Sequence, residues 1–270
     1  MPLCHLILVA LIQCTTEFLP VASSGHLVRL RLLTGLDDLG SVIDVAAHVG
    51  TLFAVVLYFW SDVRAAIVGA GRLLRGKVDT QGAWLALCLV IATIPVVLVG
   101  AILAATGAAD AMRSVTVIGW TMVVFGLLLY VADQRAAQVK TQAEWSLKDA
   151  MRLGLWQAVA LIPGTSRSGI VITGALFHGY SRSDGARIAM LMSIPTILGS
   201  GVIASLDIIG GAVPLRDTGI VMVMSFLAAL AALALMMRLL RSVSFTPYVV
   251  YRVFLGLALL YLGYSGVLTV

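Results

Sequence analysis

Charge is what this chain has least of. Only 11% of its 270 residues are Asp, Glu, Lys or Arg, against about 25% in a soluble globular domain. That excludes a sizeable soluble domain, which needs charge over its whole surface. Cysteine is scarce too. Cys4, Cys14 and Cys88 do not pair evenly and lack metal-ligand spacing, so neither a disulfide framework nor a structural zinc is expected. The first apolar run, PLCHLILVALI, lacks the basic residues that begin a secretory signal. Polar residues follow it at once, so cleavage is not expected.

What is there is apolar. Hydrophobic residues make up 60% of the chain, and mean hydropathy is +1.04. This composition belongs to polytopic helical membrane proteins. The net charge of +5 is not a nucleic-acid signal. The basic residues sit in short loops between apolar runs, where they suit anionic lipid head groups and membrane orientation.

Six segments are long enough to cross a hydrocarbon core of about 30 Å as helices of about 20 residues. They run approximately over 42–60, 82–105, 113–132, 188–206, 218–237 and 246–268. Two further apolar segments are interrupted. Residues 3–15 break at Glu17, Pro20 and Ser23-Ser24-Gly25, then resume to 33; residues 150–162 break at PGTSRSG, 163–169, and resume as IVITGALFHG. Arms of some 10–14 residues reach only about 15–21 Å. Each interrupted segment is therefore expected to enter and leave on one side as a re-entrant hairpin. Its non-helical bend must lie inside protein or beside a watery cavity.

The two interruptions resemble each other. PVASSG, 20–25, aligns with PGTSRS, 163–168, placing Ser23 on Ser166, with Gln13 and Gln157 upstream. HVGTLFAVV, 48–56, lies over SIPTILGSG, 193–201, and TIPVVLVG, 93–100, lies near FTPYVVYR, 245–252. Several matches in order, all offset by about half the chain, indicate an internal duplication. One integral membrane domain, 1–270, would then hold repeats over approximately 1–140 and 141–270. Each repeat has one hairpin and three spans. Three crossings is odd, so the halves are inverted and their hairpins can meet near the midplane. The expected fold is an all-α polytopic membrane protein with six transmembrane helices and two re-entrant hairpins.

Loops within 64–77, 135–152, 182–187 and 238–241 hold twelve Lys and Arg, while the other side holds Arg29, Arg31, Arg113 and Arg216. The twelve-residue side should be cytoplasmic. Both termini, and the mouth of the first hairpin, then face outward.

Glu17 and Arg167 stand out chemically. A charge at membrane depth costs roughly 2.5–3.5 kcal/mol on insertion scales unless it is paired or hydrated. Meeting hairpins would bring these two together from opposite halves. The bland alternative is a buried structural ion pair. PGTSRSG can form an anion cradle. Gly164 lets the chain turn, Ser166 and Ser168 can donate hydroxyl hydrogens, and Arg167 offers a planar fork matched to phosphate oxygens. The free N–H groups of a starting helix would point at the anion. A helix-breaking turn with capping serines explains the Pro, Gly and Ser, but not the Arg. In the first turn, Ser23 and Ser24 can cap a helix, or one can act as nucleophile beside a base. His26 can act as acid, base or nucleophile, or simply pack in the core. Gln13 and Glu17 are four apart on one helix face and could offer oxygens to Mg²⁺ or Ca²⁺, though the amide brings no charge. His5, His48 and His178 read as packing or interfacial. Arg252 either faces the cavity or snorkels.

The stretches QCTTEFLPVASSGH and LIPGTSRSG together resemble the undecaprenyl-diphosphate phosphatase family, also called bacitracin-resistance proteins. Its pattern is E/Q-x-x-x-E, then FLPVSSxGH, and later PGxSRSxxT. The resemblance covers nearly the whole chain, including DVAAHVGTLFAVVLYFW and FTPYVVYR. Gln13 takes the variant first position, Ala22 replaces a common Ser, and Val171 stands at the last Thr, with Thr173 two residues on.

The resemblance implies a bacterial inner-membrane enzyme that removes the terminal phosphate of undecaprenyl diphosphate and so recycles the lipid carrier for cell-wall synthesis. It also implies a divalent cation, Mg²⁺ or Ca²⁺, and inverted repeats with a site opening outward. By position, Glu17, Ser23, His26 and Arg167 would be catalytic. Gly164, Ser166, Ser168, Ser24 and Thr173 would help to bind substrate, and Gln13 with Glu17 would hold the metal. Membrane lipids are expected partners, nucleic acid is not, and a homodimer stays open. Two rivals were weighed. A lipid or small-molecule transporter or flippase suits the same inverted repeats. A type-2 phosphatidate-phosphatase-like enzyme needs a His where Thr173 stands and lacks its upstream basic element here.

Overall fold

The computed structural model describes residue 11 and residues 14–22, 41–108, 112, 114–207 and 215–265. Gln13, Ser23, Ser24 and His26 lie outside the described residues, as does most of the first interrupted segment. Among the described residues the structure is helical, with one isolated bridge between Lys140 and Tyr180.

A helical stretch at 14–18 leads into a turn at 19–21. Then follow α1 (Ser41–Tyr58), α2 (Trp60–Leu73), α3 (Gln81–Thr106) and α4 (Val115–Arg135). A 3₁₀ turn (Gln142–Glu144) precedes α5 (Leu147–Val159), α6 (Arg167–Phe177), α7 (Arg182–Asp207), α8 (Leu215–Leu239) and α9 (Thr246–Tyr264). Local chemistry sets many of the ends. Thr80, Ser114 and Ser146 cap α3, α4 and α5, each accepting a backbone N–H from three residues on. Gly107 closes α3 at φ 67°, a left-handed position suited to glycine. Pro247 sits in the first turn of α9, where its missing N–H costs nothing.

Helices cover all six long apolar segments. Among the described residues four helices are long and apolar enough to cross a membrane: Gln81–Thr106, Val115–Arg135, Thr218–Leu239 and Thr246–Tyr264. The bent pair α1–α2 supplies a fifth candidate. The protein is thus a multi-pass helical membrane protein.

Two boundaries differ from the sequence reading. Residues 61–80 were expected to be loop, yet 60–73 form α2, bent 93° away from α1. Val63, Ala66, Ile67 and Ala70 recur at helical spacing, while Arg64 and Arg72 take the other positions, which makes an amphipathic helix. The other is α7, which begins at Arg182 rather than 188. The two arginines of its first two turns are paired rather than left in a loop. Arg182 Nε donates to Asp133 at 2.5 Å, and Arg187 donates to both Asp62 oxygens, at 2.8 and 2.5 Å.

Packing joins the two halves of the chain. Helix α1 lies against α8, α3 against α7, and α4 against α9. The α4–α9 contact is close because glycines face each other. A Cβ on Gly119 would sit 3.1 Å from Gly256 O, and one on Gly256 would sit 2.9 Å from Gly119 O. Short α5 packs on α3 and α6, and α6 is wedged between α4, α5 and α7. An apolar groove of about 670 Å³ runs between α2, α3 and α7, and no candidate site residue lines it.

Candidate active site

The turn between α5 and α6 is built by residues that few others could replace. Gly164 has φ 86°, and a Cβ there would meet Thr121 Oγ1 at 2.2 Å and Ile118 O at 2.7 Å. Only glycine fits both the angle and the space. Thr121, on α4, donates its hydroxyl to Pro163 O at 2.6 Å and pins the turn. Ser166 then takes φ 69°, a conformation L residues seldom adopt. Its hydroxyl accepts from Gly169 N at 3.2 Å and caps α6. Ala22, in the first turn, also has positive φ, 64°. Such strain survives only where the surroundings over-determine it, and it concentrates at functional sites.

The two turns meet. Arg167 Nη2 donates to Glu17 Oε1 at 2.6 Å, with 21% and 15% of their side chains exposed. Both charges are therefore largely withdrawn but still reachable. Ser168 donates its hydroxyl to Glu17 O at 3.2 Å, a bond between the two interrupted segments rather than a free donor. Below them, Arg252 of α9 is fully buried and donates to Pro20 O, Gly164 O and Thr165 O at 3.4, 3.2 and 2.8 Å.

Donors outnumber acceptors around α6. Among the described residues, nothing accepts from the N–H groups of Ser166, Arg167 and Ser168. Arg167 spends one N–H on Glu17. The helix dipole adds partial positive charge at the same end. The arrangement is a largely buried, donor-rich turn whose chemistry suits an anion with several oxygens.

The remaining candidates fall elsewhere. Thr173 is fully buried in α6, and its hydroxyl donates to Gly169 O at 2.7 Å, within its own helix. The hydroxyl hydrogen of Thr173, assigned to substrate binding by position, is thus engaged within its own helix. Ser168 is only 5% exposed, and its hydroxyl bridges the turns. Gln157, which the repeat places over Gln13, is fully buried in α5, and neither amide atom has a partner among the described residues. His178 caps the end of α6 with Nδ1 2.6 Å from Gly174 O, away from the turn.

Sequence reasoning left Arg252 undecided and missed Thr121. A cation inside an apolar helix was signal enough to mark Arg252, but not to say which way it points. Thr121 carries no signal, because a Thr in an apolar helix is ordinary.

A hard divalent cation takes about six or more oxygens. Among the described residues no group of three His, Cys, Asp or Glu could hold one. Glu17 supplies one carboxylate, already engaged by Arg167. This donor set fits a cation only if Gln13 and phosphate oxygens complete the shell.

The chain matches the family model described as bacitracin resistance protein BacA over residues 6–258. It is 65% identical to an undecaprenyl-diphosphatase of Ruegeria pomeroyi, over 98% of this chain and 100% of the relative. A Jannaschia undecaprenyl-diphosphatase is 60% identical over the same shares. That of Saccharophagus degradans is 42% identical over 96% of this chain and 97% of the relative.

Proposed function

The chain belongs to the bacitracin resistance protein BacA family, and we propose that it hydrolyses undecaprenyl diphosphate to undecaprenyl phosphate and inorganic phosphate. The observation that carries this reading is the donor-rich start of α6. It stands against Glu17 of the other interrupted segment, in a chain 65% identical to an undecaprenyl-diphosphatase. Product monophosphate is the lipid carrier returned to cell-wall synthesis.

We read the two interruptions as re-entrant hairpins of inverted repeats. The contacts support this. Exchanging α1, α3 and α4 for α7, α8 and α9 turns the α1–α8 contact into the α7–α3 contact, and both exist. The same exchange maps α4–α9 and α1–α7 onto themselves. The basic loops place the α2 side in the cytoplasm, so the site opens outward.

The terminal phosphate lies against the N–H groups of 166–168 with its oxygens toward Arg167. These donors are fixed before charge develops, so they stabilise the transition state without reorganising. Attack on the terminal phosphorus breaks its bond to the bridging oxygen, and the C55 monophosphate leaves. The attacking atom comes from Ser23, His26 or a water that gives its proton to Glu17; if Ser23 or His26 attacks, water then cleaves the phosphoryl-enzyme bond and releases inorganic phosphate. A divalent cation held by Glu17 and Gln13 would neutralise phosphate charge when bound. Glu17 also holds the Arg167 guanidinium in place through the 2.6 Å bond.

The test is phosphate release from a C55 diphosphate by purified protein, with and without EDTA, for wild type and Glu17→Ala. Release by wild type, suppressed by EDTA and in the variant, is expected. A carrier would bind the lipid and release no phosphate, and that result would overturn the reading.

A further inference from the structure

We propose that Arg252 is a positioning residue that aims the phosphate-binding donors, an inference that rests on the phosphatase reading above. Arg252 sits about two turns into α9, within an apolar helix, and is fully buried. Its Nη2 donates to Gly164 O and Thr165 O, and its Nη1 donates to Pro20 O. One guanidinium therefore binds a turn from each half of the chain. Among the described residues no carboxylate pairs with it. Its slot is shaped by two glycines. A Cβ on Gly169 would come 2.9 Å from Nη1, and one on Gly126 would come 3.4 Å from the Arg252 Cβ. The charge thus lies directly beneath the first turn of α6.

Two consequences follow from elementary geometry and electrostatics. In a trans peptide the carbonyl and the next N–H point in opposite directions. Arg252 draws Thr165 O toward itself, so Ser166 N–H points away from it, toward the side where the other free donors of α6 stand. The direction of the cradle is set from behind by three charge-assisted hydrogen bonds. A buried cation with no anion beside it is also costly unless something balances it. An anion on the far side of the same turn is the charge it is placed to balance. Pro20 O extends the grip to the first turn, which keeps Glu17 in register with Arg167.

The experiment compares Arg252→Met, Arg252→Lys and Leu129→Ala. Leu129 is fully buried in α4, eight residues beyond Thr121, and takes part in none of the hydrogen bonds described above, so its loss reports on packing. The readouts are melting temperature, kcat and KM with the C55 diphosphate, and the inhibition constant of inorganic phosphate. Arg252→Met should raise KM and the phosphate inhibition constant by about ten- to a hundredfold, the loss of one or two charged hydrogen bonds. Leu129→Ala should lower the melting temperature with both constants kept. Arg252→Lys keeps the charge but cannot span both turns, and should fall between Met and wild type. Wild-type constants in Arg252→Met overturn the proposal. If the Met variant does not fold, wild-type constants in Arg252→Lys do the same. If wild type binds phosphate but releases none from the lipid, the phosphatase reading fails. The change in phosphate affinity at 252 still tests the positioning role.

Discussion

Two Arg–carboxylate pairs lie by α4, one at Asp133 and one near the turn that Thr121 pins, two residues about 18 Å apart along the helix, and they do different things. At Asp133 both carboxylate oxygens are bonded and shut away from solvent. One takes Arg182 Nε at 2.5 Å, the other takes Phe245 N at 3.0 Å, and the side chain is 0% exposed. The carboxylate joins the end of α4 to the starts of α7 and α9. At Glu17 and Arg167 the same pairing leaves a surplus. Among the described residues, nothing accepts from three backbone N–H groups beside the guanidinium, and that guanidinium is partly exposed. A carboxylate sealed from solvent and bonded on both oxygens is a fastener, while a reachable pair beside open backbone donors is a place for a ligand.

The largest effect should come from the unbalanced side. Arg167→Ala should lower phosphate release by about a thousandfold, the scale of losing a preorganised donor at a transition state. Activity within tenfold of wild type would erase the distinction between the two pairs. Next comes Asp133→Ala, which strands Arg182 and Phe245 N–H. It should cost about 2–4 kcal/mol of unfolding free energy, somewhat under the usual loss for a broken buried pair, because a quarter of Arg182 stays in solvent. Denaturant unfolding measures it, and kcat/KM per folded molecule should not change.

A smaller effect of opposite sign is expected at Gln157. Its amide is buried with no partner among the described residues, so Gln157→Met should raise stability by about 1 kcal/mol. A loss instead would mean that the amide has a bond partner in the membrane. The smallest effect belongs to the exposed pair Arg72–Asp79. The hydrogen bond from Arg72 holds the Asp79 carboxyl below the usual carboxylate range. Its contribution is therefore present above the unfolded value and is lost as pH falls through the lower, folded one. Both side chains are nearly half exposed, and solvent screens such pairs. Asp79→Asn should leave the melting temperature at neutral pH unchanged, and a clear drop would show the pair to be buried in the membrane-bound protein.

The α2 bend shows where legibility ended. Hydropathy over a long window registers an apolar run, but a 14-residue amphipathic helix with Arg64 and Arg72 on it averages away. Its direction, 93° from α1, is a packing outcome. Thr173 shows the same limit in the site. A motif two residues out of register suggested a ligand contact, yet helix geometry turned the hydroxyl onto Gly169 O.

The sequence by itself determined the helical membrane class, the positions of the long apolar helices, the two interruptions and the pairing candidates Glu17 and Arg167. Each of these follows from composition, run length or the cost of charge in lipid, quantities that need no knowledge of neighbours. Only the tertiary structure decided that Ser168 ties the turns together, that Thr121 and Gly164 interlock, and that Arg252 points inward beneath both turns. Those are relations between segments up to 232 residues apart, and direction in space is fixed only when the helices have packed.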